Sequence, residues 1–166
     1  MIVREVREYE LPEIGAITAA AYDGLAPHDY VERVRDARSR WKAHATTMLA
    51  AFDNGSDSVL GSVVYATSDS EWSDLAQDEE ESEVRLLAVA SPARGRGVGE
   101  ALMRACVARA QADRCARLVL GTLPEMHAAQ RLYARLGFRR HETRDWSPRP
   151  GVTLYFFALD LEPRRE

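Results

Sequence analysis

The chain has 166 residues, of which 22 are Lys or Arg and 26 are Asp or Glu, so its net charge is −4. This length fits a single domain over residues 1–166, and the content of 46% hydrophobic and 29% charged residues excludes a disordered chain. The acidic balance argues against nucleic-acid partners, and no apolar run approaches the ~18 residues of a membrane helix. Two cysteines, Cys106 and Cys115, exclude a disulfide framework and, together with an N-terminus that lacks a signal peptide, predict a cytoplasmic protein.

The first part of the sequence predicts a strand, two helices and a hairpin. Apolar residues recur at helical spacing in both helices, and Pro12 stands where a helix start tolerates its missing N–H. The turn Asp53-Asn54-Gly55-Ser56 separates two β-rich runs, which is typical of a hairpin. The predicted elements are a strand Ile2–Val6, helices Pro12–Tyr22 and Pro27–Lys42, and strands Thr47–Phe52 and Val59–Thr67.

An acidic segment follows, from Asp69 to Glu83. It carries eight acidic residues and no Lys or Arg, which leaves 22 basic against 18 acidic residues, or +4, in the rest of the chain. Composition alone favours a solvated surface loop. The other interpretation is an acidic patch beside the central strand that attracts a cationic amine, with a steep dependence of activity on salt.

The second half alternates strands and helices. Val84–Val89 is a nearly continuous apolar run, as expected of a central strand covered on both faces, and a Gly- and Arg-rich turn over Ser91–Gly99 leads from it into a helix. The order of elements predicts an α/β fold whose sheet has mixed strand directions. The remaining predicted elements are strand Leu118–Leu120, helix Pro124–Leu136 ended by Gly137, and strands Phe138–Thr143 and Val152–Leu161 around the loop DWSPRPG.

The segment VRLLAVASPARGRGVGEALM has the features of an anion site. Its glycines, Gly95, Gly97 and Gly99, let the backbone approach a ligand closely at the start of a helix, where free N–H groups and the helix dipole favour a pyrophosphate. Arg94 and Arg96 add positive charge beside it. A Walker A loop would need a Lys after the glycines, and a dinucleotide-binding fingerprint would need GxGxxG rather than GxGxG; both are excluded.

The turn Arg94-Gly95-Arg96-Gly97-Val98-Gly99, read as [Q/R]-x-x-G-x-[G/A], resembles the acetyl-CoA site of the GCN5-related N-acetyltransferase (GNAT) superfamily. The stretch HAAQRLYARLGFRR, from His127, is similar to the helix of that family that ends in LYxxLGF, and the order of elements agrees along nearly the whole chain. The resemblance implies a mixed, mostly antiparallel sheet with a splayed central strand pair, flanked by helices.

The resemblance also implies roles for individual residues. Tyr133 would protonate the departing thiolate, although packing alone would also explain an aromatic residue on the apolar face of its helix. Glu83 stands where some members place a carboxylate base, although an ordinary surface Glu fits an acidic run equally well. Met126 occupies the position of a common cofactor-binding Asn. The pantetheine arm is assigned to Leu87, Ala88 and Val89, and the pyrophosphate to Arg94, Gly95, Arg96, Gly97, Val98, Gly99 and Glu100.

These features lead to a functional prediction with one alternative. The chain is expected to be an acetyl-CoA-dependent N-acetyltransferase that moves an acetyl group to a primary amine by direct attack in a ternary complex, with no metal. The alternative is an inactive acetyl-CoA-binding sensor or partner subunit. The acceptor, a small-molecule or a protein amine, would be shaped by Tyr22–Trp41 and Trp146–Gly151, and exposed strand ends leave a homodimer open.

Overall fold

A computed structural model describes residues 1–162 of the chain. Its strands and helices follow the predicted order with two additions, a strand at Trp146–Arg149 and short 3₁₀ turns. The strands are β1 Ile2–Glu5, β2 Thr46–Phe52, β3 Val59–Thr67, β4 Glu81–Val89, β5 Arg117–Thr122, β6 Arg139–Arg140, β7 Trp146–Arg149 and β8 Val152–Asp160. The helices are α1 Leu11–Tyr22, α2 His28–Arg35, α3 Val98–Ala112 and α4 His127–Arg135.

One sheet runs through the described chain in the order β1-β2-β3-β4-β5-β8-β6, with β7 paired to β8. Within residues 1–162, β4 and β5 form the only parallel pair, and the other neighbours are antiparallel. This mixed, mostly antiparallel sheet confirms the predicted fold class. In the same range, no helix has the length and apolar character needed to cross a membrane.

Successive side chains of the central strands point to opposite faces of the sheet and form a hydrophobic core on each face. On β3, Val63 and Tyr65 pack with α3 and α4, whereas Val64 and Ala66 pack with α1 and α2 on the opposite face. All four side chains are buried, as expected for a strand covered on both sides. The helices therefore form two layers, and the sheet between them carries the strands that shape the site.

The predicted second helix over Pro27–Lys42 is wrong at its C-terminal end, because α2 ends at Arg35. The buried Arg40 guanidinium folds back and donates hydrogen bonds to the carbonyls of Val34, at 2.8 Å, and Asp36, at 3.3 Å. These carbonyls would otherwise accept bonds from a continuing helix. Helices α1 and α2 also cross closely here, since a Cβ at Gly15 would lie 2.0 Å from the Arg35 carbonyl oxygen.

The chain after α4 also differs from its prediction. Only Arg139 and Arg140 of the predicted strand Phe138–Thr143 pair with β8. The predicted loop DWSPRPG is instead a hairpin arm, in which β7 pairs with the first residues of β8 around a turn at Gly151 with φ +81°. Two prolines in this stretch argue against a strand, but β7 lies off the main sheet path and pairs at only two positions, so it does not need every N–H.

The acidic segment is folded onto the sheet rather than solvated along its length. Ser70 and Trp72 are buried, and Glu81 and Glu83 belong to β4, where both are buried. Glu81 accepts hydrogen bonds from Arg144 at 2.7 and 2.9 Å and from Arg117 at 3.3 Å. The predicted surface loop is therefore wrong for these residues, because ion pairs stabilise the buried Glu81 carboxylate and hydrogen bonds from Ser73, Asp74 and Leu75 stabilise that of Glu83.

Three exposed acidic residues at the end of the acidic segment, Asp78, Glu79 and Glu80, lie far from the splayed end of β4. Glu80 is at the start of that strand, where its carbonyl accepts from the N–H groups of Ala116 and Arg117. From Glu81 to Leu87 the strand extends about 20 Å, roughly twice the screening length at 0.1 M salt. This arrangement does not support attraction of a cationic amine by the exposed carboxylates of Asp78, Glu79 and Glu80.

Replacing Glu81 with Gln is expected to lower the free energy of unfolding by about 2 kcal/mol at pH 7, because Arg144 loses its charged partner. Burial opposes ionisation of Glu81, but hydrogen bonds from Arg144 and from the Gln77 N–H outweigh it and lower the carboxyl pKa. A lowered pKa gives a contribution that is present above the unfolded pKa and is lost as pH falls through the folded pKa. Urea unfolding should therefore show a difference in the free energy of unfolding between the parent protein and the variant at pH 7. This difference should become smaller below about pH 4.

The matched control is Glu32→Gln, which removes an exposed pair with Arg35 and should change the free energy of unfolding by less than about 0.5 kcal/mol. Equal unfolding curves for Glu81→Gln and the parent protein at pH 7 would contradict a stabilising role for this carboxylate.

Candidate active site

Strands β4 and β5 separate in the middle of the sheet. Their parallel pairing runs from Glu81 with Arg117 to Val84 with Leu120, and it stops there. Beyond this point β4 stays with β3, while β5 stays with β8 through Thr122. The sheet thus contains a splayed central strand pair, as predicted, and no strand of residues 1–162 pairs with the β5-facing edge of β4 after Val84.

A β-bulge lies at the point of separation. Ser62 of β3 is opposite Ala88 and Val64 is opposite Arg85, so two β4 residues face one residue of β3. Leu86 adopts φ +54°, a left-handed conformation that costs a non-glycine residue about 1–2 kcal/mol. Bulges redirect a strand and occur next to functional sites, and this one turns β4 away from β5 at the start of the crevice.

The Gly-rich turn after β4 has an open backbone of the kind that an anion cradle requires. Gly95 and Gly97 have φ of +75° and +78°, and a Cβ at either would meet nothing within 4 Å. The first helical hydrogen bond of α3 runs from the Ala101 N–H to the Gly97 carbonyl at 3.0 Å. In the described chain, the N–H groups of residues 95–100 donate to no protein acceptor, and at a helix N-terminus they suit a phosphate.

The side chains of this turn are used unequally. Arg94 is exposed, whereas Arg96 pairs with Asp53 of the β2–β3 turn at 2.7 Å. Val98 is 1% exposed and belongs to the core, so only its backbone is available to a ligand. Glu100 pairs with Arg104 at 2.8 Å one helical turn away. Gly99 lies against α4, where a Cβ would be 3.1 Å from a Leu132 methyl group.

A cavity of about 480 Å³ occupies the crevice and the space beside it. It is bounded by β4 from Glu83 to Leu87, by β5 from Leu120, and by Tyr133 and Met126 of the α4 region. Both regions expected to shape the acceptor contribute to its walls. They do so through Tyr22, Ala26, Pro27, Asp29, Tyr30, Arg33, Trp146, Pro148 and Arg149.

Tyr133 is buried at 5% exposure and packs against Phe138 and Phe157, with ring centroids 5.9 and 6.1 Å away. Its hydroxyl makes no hydrogen bond within residues 1–162, although the residue lines the cavity. Burial, and to a smaller extent Cys106, raises the pKa of the phenol. The phenol therefore stays protonated and has no protein partner for its proton, as a general acid requires.

Glu83 faces the same cavity and is held by one of its oxygens. Oε2 accepts from the Ser73 hydroxyl at 2.9 Å and from the N–H groups of Asp74 and Leu75, both at 2.8 Å. Oε1 accepts no hydrogen bond from the described residues and lies 4.0 Å from Arg85 Nε. Burial raises the pKa of Glu83 against the opposing effects of Arg85 and these donors. A raised pKa and one free oxygen suit a general base.

Further groups at the site were not marked by any sequence motif. The buried Thr122 Oγ1 lies at the cavity wall and has no hydrogen-bond partner within residues 1–162. Gln130 donates to the carbonyls of Leu123 and Pro124, at 3.1 and 3.0 Å, and shapes the turn before α4. Across the described residues no three His, Cys, Asp or Glu side chains are placed to hold a metal ion.

Comparison with known proteins agrees with this geometry. Residues 11–138 match the acetyltransferase (GNAT) family, which is more than three quarters of the chain. The chain belongs to the GNAT acetyltransferase family. The family resemblance and the expectation of an acetyltransferase are confirmed, because the match includes both the Gly-rich turn and the LYxxLGF helix.

Individual relatives are more distant. N-acetylaspartate synthetase from Danio rerio is 40% identical over 78 residues, which are 46% of this chain and 27% of that protein, so the chain matches about a quarter of that relative. An acetyltransferase of the GNAT family from Staphylococcus aureus has a TM-score of 0.76 at 15% identity, covering 97% of this chain and 99% of that one.

Two other solved structures are similar. A putative acetyltransferase from Salmonella typhimurium, solved with its cofactor acetyl-CoA, has a TM-score of 0.71 at 20% identity and covers 100% of this chain and 96% of that one. Ribosomal-protein-alanine N-acetyltransferase from Brucella melitensis has a TM-score of 0.69 at 23% identity, covering 97% of this chain and 100% of that one. At these identities the likenesses establish the fold.

Proposed function

We propose that the chain transfers the acetyl group of acetyl-CoA to a primary amine by direct attack in a ternary complex. The observation that carries this proposal is the cavity in which Tyr133 and Glu83 both lie beside the splayed strand pair. One of these residues has a hydroxyl with no acceptor within residues 1–162, and the other has a carboxylate oxygen with no donor there. An acid and a base at one crevice are what acetyl transfer to an amine requires.

The same proposal assigns the binding of acetyl-CoA to the strand and turn predicted for it. The open N–H groups of residues 95–100 fit a pyrophosphate, with the exposed Arg94 beside them. The free edge of β4 at Leu87, Ala88 and Val89 fits the pantetheine arm, which carries amides that pair with a strand edge. The Met126 side chain offers no hydrogen bond here, unlike the Asn that is common at this position. The backbone therefore supplies a larger share of the affinity for acetyl-CoA.

Each residue then has a defined part in the reaction. Glu83 Oε1 takes a proton from the acceptor ammonium, which frees the nitrogen lone pair to attack the acetyl carbonyl. Unpaired backbone N–H groups along β4 stabilise the developing oxyanion as the C–N bond forms. When the C–S bond breaks, Tyr133 donates its proton to the thiolate and regains one from the nitrogen, which becomes an amide.

The direct test is release of CoA thiol from acetyl-CoA in the presence of a panel of primary amines, with the acetylated product identified by mass. We expect thiol release that depends on the amine. When both substrates are varied, double-reciprocal plots of the rate should intersect, as expected for a ternary complex. Binding of acetyl-CoA without turnover across amino acids, polyamines, peptides and aryl amines would instead favour the sensor or partner subunit.

A homodimer and a cytoplasmic location remain predictions.

Replacing Glu83 with Gln is expected to lower kcat/KM for the acceptor about 100-fold without weakening CoA binding. Because only the ionised carboxylate accepts the proton, parent activity should fall as pH falls through the raised pKa of Glu83, and the variant should lose this dependence. Gln keeps the shape of the side chain and one oxygen for the donors of Ser73 and Leu75.

The matched control for this variant is Glu80→Gln, an exposed carboxylate in the same acidic segment, which should behave like the parent protein. A folded Glu83→Gln protein with parental kcat/KM and an unchanged pH profile would reduce Glu83 to a structural role.

A further inference from the structure

Among residues 1–162, six charged side chains line the cavity, and four of them form pairs. Arg149 of β7 binds Asp29 of α2 through two hydrogen bonds of 2.6 and 3.1 Å. Arg85 of β4 binds Asp74 at 2.9 Å. Glu83 and Arg33 complete the six. The opposite charges cancel within each of these two pairs. The ligand preference of the cavity therefore depends on the remaining anion and the remaining cation.

Glu83 is the remaining anion, because Arg85 lies 4.0 Å from it and already binds Asp74 more closely. Arg33 is the remaining cation. Its guanidinium lies 4.7 Å from the centroid of the Trp72 ring, and no carboxylate of residues 1–162 lies within 4.0 Å of it. The guanidinium thus lies over an aromatic ring, while its N–H groups are left to bind another group.

The surroundings of Arg33 favour an anion. The Trp72 ring, which is 3% exposed, is approached by two further guanidinium groups, Arg85 at 5.9 Å and Arg40 at 6.0 Å. Arg40 donates to carbonyl and hydroxyl oxygens and to no carboxylate in the described chain. Arg40 lies behind the cavity wall rather than in it, and the three arginines around Trp72 outnumber the nearby carboxylates Asp74 and Glu83 by one. This local surplus of positive charge attracts a negative group.

We propose that the acceptor is an amine that also bears a carboxylate, of the free amino acid class, and that Arg33 binds this carboxylate while the amine faces Glu83. This inference rests on the proposed acetyl transfer and names its substrate class. Arg33 and Glu83 line the same cavity, and Arg33 and Arg85, the neighbour of Glu83, both approach the Trp72 indole, so the carboxylate-binding group and the base open onto one space for a small molecule. Arg binds carboxylates through a planar fork, which gives direction as well as charge.

The test compares three acceptors that share one side chain: an amino acid, its carboxamide and its decarboxylated amine. In the parent protein the free amino acid should have the highest kcat/KM. In Arg33→Gln, KM for the amino acid should rise about 10-fold or more, as expected for a lost charged hydrogen bond, whereas the values for the carboxamide and the amine should stay the same. Arg33→Lys should recover part of the loss.

Arg35→Gln is the matched control, since Arg35 is on the same helix, pairs with Glu32 and does not line the cavity. It should leave all three acceptors unchanged. Equal or better turnover of the carboxamide or the amine by the parent protein would overturn the inference while leaving acetyl transfer intact. A uniform effect of Arg33→Gln on all three acceptors, or no effect on any, would also overturn it. Absence of thiol release with every amine tested would refute the proposed function and this inference together.

Discussion

Replacing Gly97 with Glu is expected to weaken CoA binding by more than about 100-fold, because a carboxylate would occupy the anion cradle. The loss of charged hydrogen bonds to a phosphate, each worth about 1.5–3 kcal/mol, is sufficient for such an effect, and repulsion adds to it. Gly97 ends the turn at φ +78° with open space around its Cβ position, so the Glu side chain enters the cradle instead of the core. Isothermal titration with CoA measures the change.

A control is needed because any side chain at φ +78° strains the backbone. Gly24→Glu supplies it, since Gly24 has φ +76° and equally open surroundings in the turn between α1 and α2. The two variants introduce the same charge and comparable strain, and only the one at Gly97 should lose CoA. If a folded Gly97→Glu protein binds CoA as the parent does, the phosphates do not occupy this turn.

Replacing Tyr133 with Phe is expected to lower kcat by about 100-fold or more with little change in stability. The substitution keeps the ring between Phe138 and Phe157, and it orphans no partner because the hydroxyl is not hydrogen bonded within residues 1–162. Since burial raises the pKa of this phenol, the parent protein should not lose activity through its ionisation up to about pH 10. Steady-state thiol release and thermal unfolding measure the two effects.

Tyr65→Phe is the matched control. Tyr65 is 1% exposed, and its hydroxyl donates to Asp113 at 2.9 Å, away from the cavity. This variant should lose about 1 kcal/mol of stability and keep its kcat, the reverse of the pattern expected for Tyr133. Parental kcat in Tyr133→Phe, under conditions where chemistry limits turnover, would make Tyr133 a packing residue only.

Local patterns predicted most of the elements that position the site. The apolar run Val84–Val89 marked the central strand, and the glycines after it marked the turn, because these features depend on neighbours in sequence. The splayed strand pair followed from the family resemblance. Nothing in the composition or periodicity of β4 or β5 indicates where their pairing stops.

Features that depend on distant contacts could not be predicted in this way. The bulge at Leu86 is one case, since Leu has no preference for φ +54°. The pairing of β3 with β4 before and after the bulge keeps Leu86 in this conformation. The early end of α2 is another, because it depends on the buried Arg40 guanidinium. Trp72, within an apparently solvated segment, anchors that segment to the core on the face of α1 and α2.

The candidate site shows the same division between local and distant information. Tyr133 and Glu83 were placed by family motifs, and both line the cavity. Arg33 belongs to no motif. Its relevance follows from the tertiary structure, in which Asp29 pairs with Arg149 and Asp74 pairs with Arg85. These pairs leave Arg33 without a carboxylate partner in the described chain.

A single-turnover experiment tests the central claim most directly. Protein in excess over acetyl-CoA is mixed with the best amine acceptor, quenched at intervals and separated, and the acetylated acceptor, free CoA and acetylated protein are each quantified by mass. Direct transfer predicts that acetylated acceptor and CoA appear at the same rate and that no acetylated protein accumulates. Acetyl groups that appear on the protein before they reach the acceptor, or CoA released without any acetylated acceptor, would contradict the account.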